Sequence, residues 1–549
     1  MSRKKIIIVG GVAGGASCAA RCRRLDEEAE ILMLDRGPYV SFANCGLPYY
    51  VGDVITDETN LLVANPALFR DRFNIEARTG HEVIAIDRAA REIEVRELST
   101  GRFYRESYDA LVLSPGAAAV RPPLPGIDLP GIFVLRTIPD SRQIRTWIEE
   151  KDAKSAVVVG GGFIGLEMAE NLVQRGLSVT IVEMLDQVMP PLDPEMARPV
   201  QEQLEKHGVK VALGDGVAGF EPRGGQVVVN TKSGAQHAGD LVILAIGVRP
   251  ETALAKAAGL ELGERGGLRV DEQMRTSDPC IWAVGDAVEI RDVVTGEWTM
   301  IPLAGPANRQ GRIAADAICG RDSKFRGVQG TAICGVFVLT VASTGASEKS
   351  LLRAGITDYE KVYLHPANHV GYYPGAKPIN LKLLFRKSDG RLLGAQAVGE
   401  AGVDRRIDVI ATAIQFGGTV FDLEESELCY APQFGAAKDP VNFAGMIAAN
   451  SLRGDLPLAD WKQLLPDSAI LVDVRDPNEF EEGHISGAIN LPLNDLRARL
   501  GELPRDRELW LYCRVGQRGY YAARLLMQHG FQVKNLPGGY LTYDLIKAA

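Results

Sequence analysis

The sequence predicts an α/β fold, on three observations. A short apolar strand that runs into a glycine-rich turn and then a helix occurs twice, as Lys5-Ile-Ile-Ile-Val-Gly-Gly-Val-Ala-Gly-Gly15 and as Ala156-Val-Val-Val-Gly-Gly-Gly-Phe-Ile-Gly-Leu166. Each copy is followed by a second apolar strand that ends in an acid, Glu30 to Asp35 and Leu177 to Glu183. Glycine is in excess, 59 among 549 residues, where about 7% is usual. Uninterrupted apolar strands joined by helices are the mark of a parallel sheet covered on both faces. Two such βαβ units predict two Rossmann-like dinucleotide-binding domains of related design.

The elements follow in order. Helix-compatible runs occupy Ala16 to Leu25 and Leu166 to Arg175. Later strands are expected at Leu111 to Gly116, at Leu241 to Gly247 and at Ile281 to Ala287, the last running into Gly285-Asp286. Residues 328 to 450 lack the glycine fingerprint and read as mixed strands and helices, an α+β domain. Arg453-Gly-Asp-Leu-Pro457 reads as a linker, and a new α/β pattern begins near 460.

Composition excludes several functions. With 61 basic and 70 acidic residues the chain carries −9, so the basic field of a nucleic-acid binder is missing. Eight cysteines in this length are too sparse for a disulfide framework and fit a reducing compartment. Met1 to Lys5 followed by Ile6 to Val9 imitates a signal peptide, but Gly10-Gly11 cuts the apolar run short of the usual 7–15 residues. No stretch approaches the ~18 apolar residues of a membrane span. A cytoplasmic protein with no membrane or nucleic-acid partner is expected.

The glycine turns carry the chemistry. Such a turn brings a pyrophosphate against bare backbone at a helix start, where free N–H groups and the dipole favour negative charge. The second copy is complete, with Gly160, Gly162 and Gly165, and Glu183 stands where a carboxylate accepts from a ribose 2′-OH and repels a 2′-phosphate; NADH is therefore expected over NADPH. In the first copy Val12 takes the middle glycine's place, while Gly10, Gly14 and Gly15 remain. Two dinucleotide sites on one chain suggest electrons passing from NADH to a bound flavin.

The first turn with Asp35, the second turn with Glu183 and Val284-Gly-Asp286, in that order, resemble the flavin-dependent pyridine nucleotide-disulfide oxidoreductases. The resemblance covers roughly residues 1–450. It implies FAD held by Gly10, Val12, Ala13, Gly14, Asp35, Arg36, Asn44, Val83, Ser114, Gly116, Gly285, Asp286 and Ala304. NADH would be held by Gly160, Gly162, Phe163, Ile164, Gly165, Glu183 and Gly247. The implied domains are FAD-binding at 1–118 with 250–325, NADH-binding at 119–249 and dimerisation at 326–450, then a linker at 451–459 and a last domain at 460–549.

Many members carry two cysteines a few residues apart, but Val40 to Tyr49 contains Cys45 alone. A lone redox cysteine stores its oxidised state as a sulfenic acid or as a mixed disulfide with a small thiol. NADH oxidases and peroxidases do the first, coenzyme A-disulfide reductases the second. Ser41-Phe-Ala-Asn-Cys-Gly-Leu-Pro48 and Val12-Ala-Gly-Gly-Ala-Ser-Cys18 are similar to the second group. That resemblance implies a coenzyme A site lined by Ser17, Arg21, Arg24, Ser41, Asn44 and Lys438. Where the family pattern has a lysine after an Asp-Arg pair, Asp71-Arg72 is followed here by Phe73. It also implies a homodimer whose tyrosines reach the other subunit's Cys45, with Tyr430 and either Tyr372 or Tyr373 in that position. A phenol there would protonate a leaving sulfur. Cys18, Cys22, Cys280, Cys319, Cys334 and Cys429 read as buried thiols, and no metal cluster is expected.

Near the C-terminus, Glu508-Leu-Trp-Leu-Tyr-Cys-Arg-Val-Gly-Gln-Arg-Gly519 is a strand, a cysteine, a short loop and a helix that continues from Tyr520 to His529. Loop N–H groups and a helix start around Cys513 stabilise a thiolate or persulfide. With Val472 to Asn490 and Asn535-Leu-Pro-Gly-Gly-Tyr540, this segment resembles a rhodanese domain. Cys513 would accept sulfur, cradled by Arg514, Gly516 and Arg518. Together the resemblances imply NADH-dependent reduction of coenzyme A persulfide, polysulfide or disulfide. An NADH oxidase or peroxidase, or a persulfide carrier serving a protein partner, remain alternatives.

Overall fold

The computed structural model describes residues 3–463 and 469–548. The chain forms two compact units, Met1–Asp186 with Gly208–Gly330, and Gln187–His207 with Thr331–Ala549.

The first unit contains two parallel five-stranded sheets of the same design. One runs Ile281–Ala283, Ala110–Leu113, Lys5–Val9, Glu30–Asp35, Glu76–Thr79; the other runs Lys210–Ala212, Ser178–Val182, Ser155–Val159, Leu241–Leu244, Ile132–Phe133. In both, the strand before the glycine turn lies at the centre, covered on both faces, which is why Ile6, Ile7 and Ile8 have 0% exposure. Strand Ile281–Ala283 joins the first sheet from after the second, pairing in parallel with Ala110–Leu113. Each half also carries a three-stranded antiparallel ribbon, His81–Asp87 to Phe103–Ser107 and Val217–Arg223 to Gln236–Gly239. These extend the internal repeat beyond what the glycine pattern announced.

The helices after the turns are Ala13–Leu25 and Phe163–Gln174, each three residues earlier than the sequence suggests. Glycine read as punctuation is here part of the first helical turn. A Cβ on Gly15 would lie 1.9 Å from the Gly10 carbonyl oxygen, and one on Gly165 would lie 2.0 Å from that of Gly160. Around Gly162 no protein atom lies within 4 Å of such a Cβ, which explains why the equivalent place accepts Val12. Helix Ala304–Ile318 crosses Ala13–Leu25 closely, because a side chain on Gly311 would meet the Gly14 carbonyl at 2.3 Å.

In the second unit an antiparallel five-stranded sheet, in the order Ala332–Val336, Leu339–Gly345, Leu392–Gly399, Ile379–Phe385, Glu360–Leu364, packs against helix Val403–Gln415. Helix Pro194–Lys206 belongs to this unit, although its sequence falls within the stretch expected to bind NADH. The tie is ionic. Lys382, fully buried, places its Nζ 2.8 Å from Asp193, 2.5 Å from Glu195 and 2.6 Å from Glu348.

The C-terminal sheet is parallel, in the order Ile489–Asn490, Ile470–Asp473, Leu509–Tyr512, Val533–Asn535. The stretch expected as a linker is packed rather than loose. Leu456 joins the C-terminal core at 2% exposure, and Asp455 pairs with Arg524 at 2.9 Å. The C-terminal sheet also docks on the antiparallel one: His365 Nε2 and Thr542 Oγ1 share a 2.8 Å hydrogen bond, and Trp461 Nε1 donates to the Pro537 carbonyl at 3.0 Å. Among the described residues no helix is long and apolar enough to cross a membrane.

Candidate functional site

The two glycine turns are built alike down to their acids. Asp35 accepts from the backbone N–H groups of Gly11 and Gly37, both at 2.8 Å. Glu183 accepts from Gly161 at 2.7 Å and Leu185 at 2.8 Å. Each carboxylate thereby braces its own turn and keeps lone pairs for a ribose hydroxyl. Burial pushes the Asp35 carboxyl up, and the two backbone donors counter it.

A cavity of about 970 Å³ opens around the first turn. Of the residues the sequence assigned to flavin or coenzyme A, Gly10, Val12, Ala13, Gly14, Ser17, Arg21, Arg24, Asp35, Arg36, Ser41, Asn44, Cys45, Ser114, Gly116, Gly285, Asp286 and Ala304 line it. They come from five separate stretches of chain, four of which meet because Lys5–Val9, Glu30–Asp35, Ala110–Leu113 and Ile281–Ala283 are neighbours in one sheet, while Ala304 begins helix Ala304–Ile318. Val83 is not in this wall; it is a buried residue of strand His81–Asp87. Gly247 adopts φ +102° beyond the second sheet, its carbonyl accepting from Val120 at 3.0 Å.

The cavity suits FAD: a bare glycine turn at the start of helix Ala13–Leu25, an acid at the end of the second strand, and Gly285 N–H held by Gln310 at 2.7 Å. Its wall is also rich in cations, with Arg21, Arg24, Arg72 and Arg312 besides Arg36 and Arg136. Arg21 is already engaged, its Nε 2.8 Å from Asp316. Ser17 donates to the amide oxygen of Asn308, which also lines the cavity. Arg72, Asn308 and Arg312 were missed from the sequence. The Asp71-Arg72 pair was itself the available signal: the missing lysine after it does not leave that wall uncharged.

Cys45 lies on the single turn Asn44–Gly46 at the start of helix Leu47–Val51, its thiol open to the cavity. The protein packed behind it pushes its pKa up, and the nearby Glu167 and Asp286 carboxylates add to this while Arg136 opposes. Arg136 donates to Asp286 at 2.8 Å, closing the cavity wall beside the thiol.

In the second unit Tyr372 and Tyr430 share an O···O hydrogen bond of 2.7 Å, and both are exposed, at 74% and 45%. Tyr373 instead packs edge-on against His369, so of the two tyrosines left open by the sequence it is Tyr372 that pairs with Tyr430. Lys438 is exposed beside Asp439, which binds Arg405 and Arg406. Of the six cysteines expected to be buried, Cys18, Cys22 and Cys334 are, Cys280 and Cys319 are only half-buried, and Cys429 is exposed, because the segment before Tyr430 has no regular structure and lies on the surface.

Cys513 directly follows strand Leu509–Tyr512, and the Gly516 N–H donates to its Sγ at 3.2 Å, with Gly516 in the left-handed region at φ +94°. The loop is held by Tyr540 N–H on the Cys513 carbonyl at 2.8 Å; Gly539 is required there, since a Cβ would lie 2.1 Å from that oxygen. The Arg514 side chain is exposed, whereas Arg518 is paired with Glu479 at 2.7 Å and Asp476 at 3.4 Å. Of the two arginines expected as a cradle, Arg518 is therefore the one already neutralised.

Comparison with known proteins follows these divisions. Residues 4–311 match the pyridine nucleotide-disulphide oxidoreductase family, 331–439 its dimerisation domain and 458–544 the rhodanese-like domain. A coenzyme A disulfide reductase of Staphylococcus haemolyticus is 35% identical over 443 residues, 80% of this chain and 98% of that one. The crystal structure of reduced Bacillus anthracis CoADR-RHD superposes with a TM-score of 0.97 at 50% identity, covering 100% of this chain and 98% of the other. A NAD-dependent persulfide reductase from A. fulgidus superposes with a TM-score of 0.91 at 38% identity, covering 98% and 100%.

Proposed function

This chain belongs to the pyridine nucleotide-disulphide oxidoreductase family, and from that premise we propose that it is an FAD-dependent enzyme reducing coenzyme A disulfide or persulfide with electrons from NADH through Cys45. The observation that carries this reading is the single cavity in which Cys45 shares a wall with the first glycine turn and with Arg21, Arg24, Arg72 and Arg312. A redox sulfur beside a flavin-binding turn, at the edge of a cationic pocket, suits a thiol that carries several phosphates.

FAD, when bound, supplies the relay between NADH, a two-electron hydride donor, and sulfur. This chain's residues do the rest. Gly10, Gly14 and Gly15 leave backbone bare for the pyrophosphate, and Asp35 takes the ribose; Gly160, Gly165 and Glu183 repeat this for NADH. The Cys45 thiolate attacks the coenzyme A sulfur of the substrate, forming a Cys45 Sγ–S bond and expelling the other sulfur. Two electrons then cleave that bond and regenerate the thiolate. Cys513, with the Gly516 N–H on its sulfur, holds sulfane sulfur as a persulfide and exchanges it with the coenzyme A carrier.

The chain carries the family's dimerisation domain and acts as a homodimer on a small-molecule substrate. That Tyr372 and Tyr430 complete the other subunit's site is part of the proposal; their shared hydrogen bond on an exposed face supports it, since a paired phenol is a ready proton donor to a leaving sulfur. A cytoplasmic setting is likewise proposed, supported by eight free thiols. The test is a pair of variants. Cys45→Ser is expected to lower NADH-dependent reduction of coenzyme A disulfide and persulfide at least ~100-fold. Cys513→Ser is expected to keep disulfide reduction while mass spectrometry finds no added sulfur on residue 513. Retention of persulfide reduction by Cys45→Ser would overturn the reading.

A further inference from the structure

Tyr372 and Tyr430 share their 2.7 Å hydrogen bond from two segments, residues 365–378 and 425–439, that form no helix or strand. Both phenols are exposed, so packing within this chain does not fix them, and their register must come from the backbone that carries them. That backbone is clamped at one point. Asp439, buried at the start of helix Pro440–Leu452, accepts from Arg406 Nε at 3.1 Å and Nη2 at 2.8 Å and from Arg405 Nη2 at 3.1 Å. Each guanidinium reaches on to one tyrosine segment. Arg406, fully buried on helix Val403–Gln415, donates to the carbonyl of Asn368, ahead of Tyr372, at 2.7 Å. Arg405 donates to the carbonyl of Cys429, the residue before Tyr430, at 3.1 Å and to that of Phe434 at 3.0 Å. The two segments also meet directly, with the Val370 N–H on the Gly435 carbonyl at 3.0 Å. Lys438 immediately precedes Asp439 in the chain. A single carboxylate therefore ties together the stretches that carry Tyr372, Tyr430 and Lys438.

We propose that Asp439, acting through Arg405 and Arg406, is the positioning residue that sets Tyr372, Tyr430 and Lys438 in register for the other subunit's Cys45. The inference rests on the reading that those three residues complete that site. Arginine suits the task, because its planar fork of N–H donors spans a carboxylate and backbone carbonyls at once, whereas a lysine ammonium is a point charge. Segments without helix or strand leave their carbonyls in need of donors, and the two guanidinium groups supply them where a regular ladder does not. At the step served, the O–H bond of one phenol breaks as an S–H bond forms on the leaving thiolate, and the phenolate recovers its proton from water. No electrons change hands there. The clamp therefore bears on protonation of the leaving sulfur and on seating the substrate, and not on the delivery of electrons from NADH.

The test uses the FAD-loaded homodimer. Asp439→Asn strands two arginines and threatens the fold, so the first variant is Arg405→Lys, whose side chain is only half-buried. It is expected to lower turnover of coenzyme A disulfide at least ~10-fold, while the rate at which NADH bleaches the flavin absorbance in stopped flow stays within ~2-fold. The decisive measurement is a double-mutant cycle with Tyr430→Phe. Once the phenol is gone its placement no longer matters, so Arg405→Lys is expected to cost less than ~3-fold in the Tyr430→Phe background. An arginine that merely held the fold together would cost the same in both backgrounds, and equal losses would overturn the proposal. So would full turnover by Arg405→Lys alongside an impaired Tyr430→Phe. Arg405→Gln, which keeps one amide donor for a carbonyl, takes its place if Arg405→Lys does not fold, with the same outcomes deciding. Full turnover by Tyr430→Phe, in contrast, would overturn the reading of the tyrosines on which the clamp rests.

Discussion

Replacing Lys382 by Met removes the one cation that three buried carboxylates converge on. Its Nζ lies 2.8, 2.5 and 2.6 Å from Asp193, Glu195 and Glu348, and the variant leaves these carboxylates only more peripheral cations, Lys361 at 2.8 Å and the exposed Lys462 at 3.6 Å from Glu348, with Lys349 near Asp193 and Glu195. Stripping one member from a buried ion pair costs about 3–5 kcal/mol. The titration of Glu348 gives a second route. Burial alone would raise it, but Lys382 and Lys361 hold it down at about 2, against an ordinary 4.5. At 1.36 kcal/mol per unit, that depression is worth about 3 kcal/mol. Because the folded-state value is the lower one, this stability is present above pH 4.5 and is lost as the pH falls from 4.5 toward 2. In Lys382→Met the depression goes and burial dominates, so the carboxylates favour protonation, and acid relieves the variant instead of weakening it. Urea unfolding at pH 7 and pH 5 should therefore show a deficit of about 3–5 kcal/mol at pH 7 that shrinks at pH 5. A deficit below about 1 kcal/mol, or one that does not change with pH, would refute the reasoning.

Two further outcomes are expected at the second glycine turn. Gly165→Ala places a Cβ 2.0 Å from the Gly160 carbonyl oxygen, so the turn must open; NADH affinity should fall at least ~10-fold while FAD content is unchanged. Glu183→Ala removes the carboxylate now held by Gly161 and Leu185. Steady-state kinetics with NADH and NADPH should show the preference for NADH narrowing by ~10-fold or more, because the repulsion of a 2′-phosphate goes with it.

Much of the flavin side was legible because its signals are local. A run such as Ile6 to Val9 must be a buried strand, and Gly10 at φ +96° sits where a Cβ would meet the Ser114 carbonyl at 2.0 Å, a demand that leaves a glycine in the text. Cys45 and Cys513 were legible for the same reason, each standing at a strand-to-helix or turn-to-helix junction with its own short motif. Less legible were residues whose task depends on a distant segment. Arg312 lies on a helix that reads as an ordinary amphipathic one, and Asp439 looks like any acid at the start of an α-helix until Arg405 and Arg406 are brought to it. The residues near 453 read as a linker from their Gly and Pro, yet Leu456 fills a core position, because a core recruits apolar side chains wherever the chain passes.

Backbone geometry and apolar periodicity act over a few residues, so they are written into contiguous text: the two βαβ units, the acids that close them, and the two sulfur nucleophiles. Charge pairing and burial are properties of neighbours in space. The arginines in the wall of the Cys45 cavity, the pairing of Tyr372 rather than Tyr373 with Tyr430 and the neutralisation of Arg518 by Glu479 all follow from segments that meet only after folding. There the low dielectric of a partly desolvated site turns proximity into a shifted pKa or a preferred partner, and no spacing along the chain encodes it.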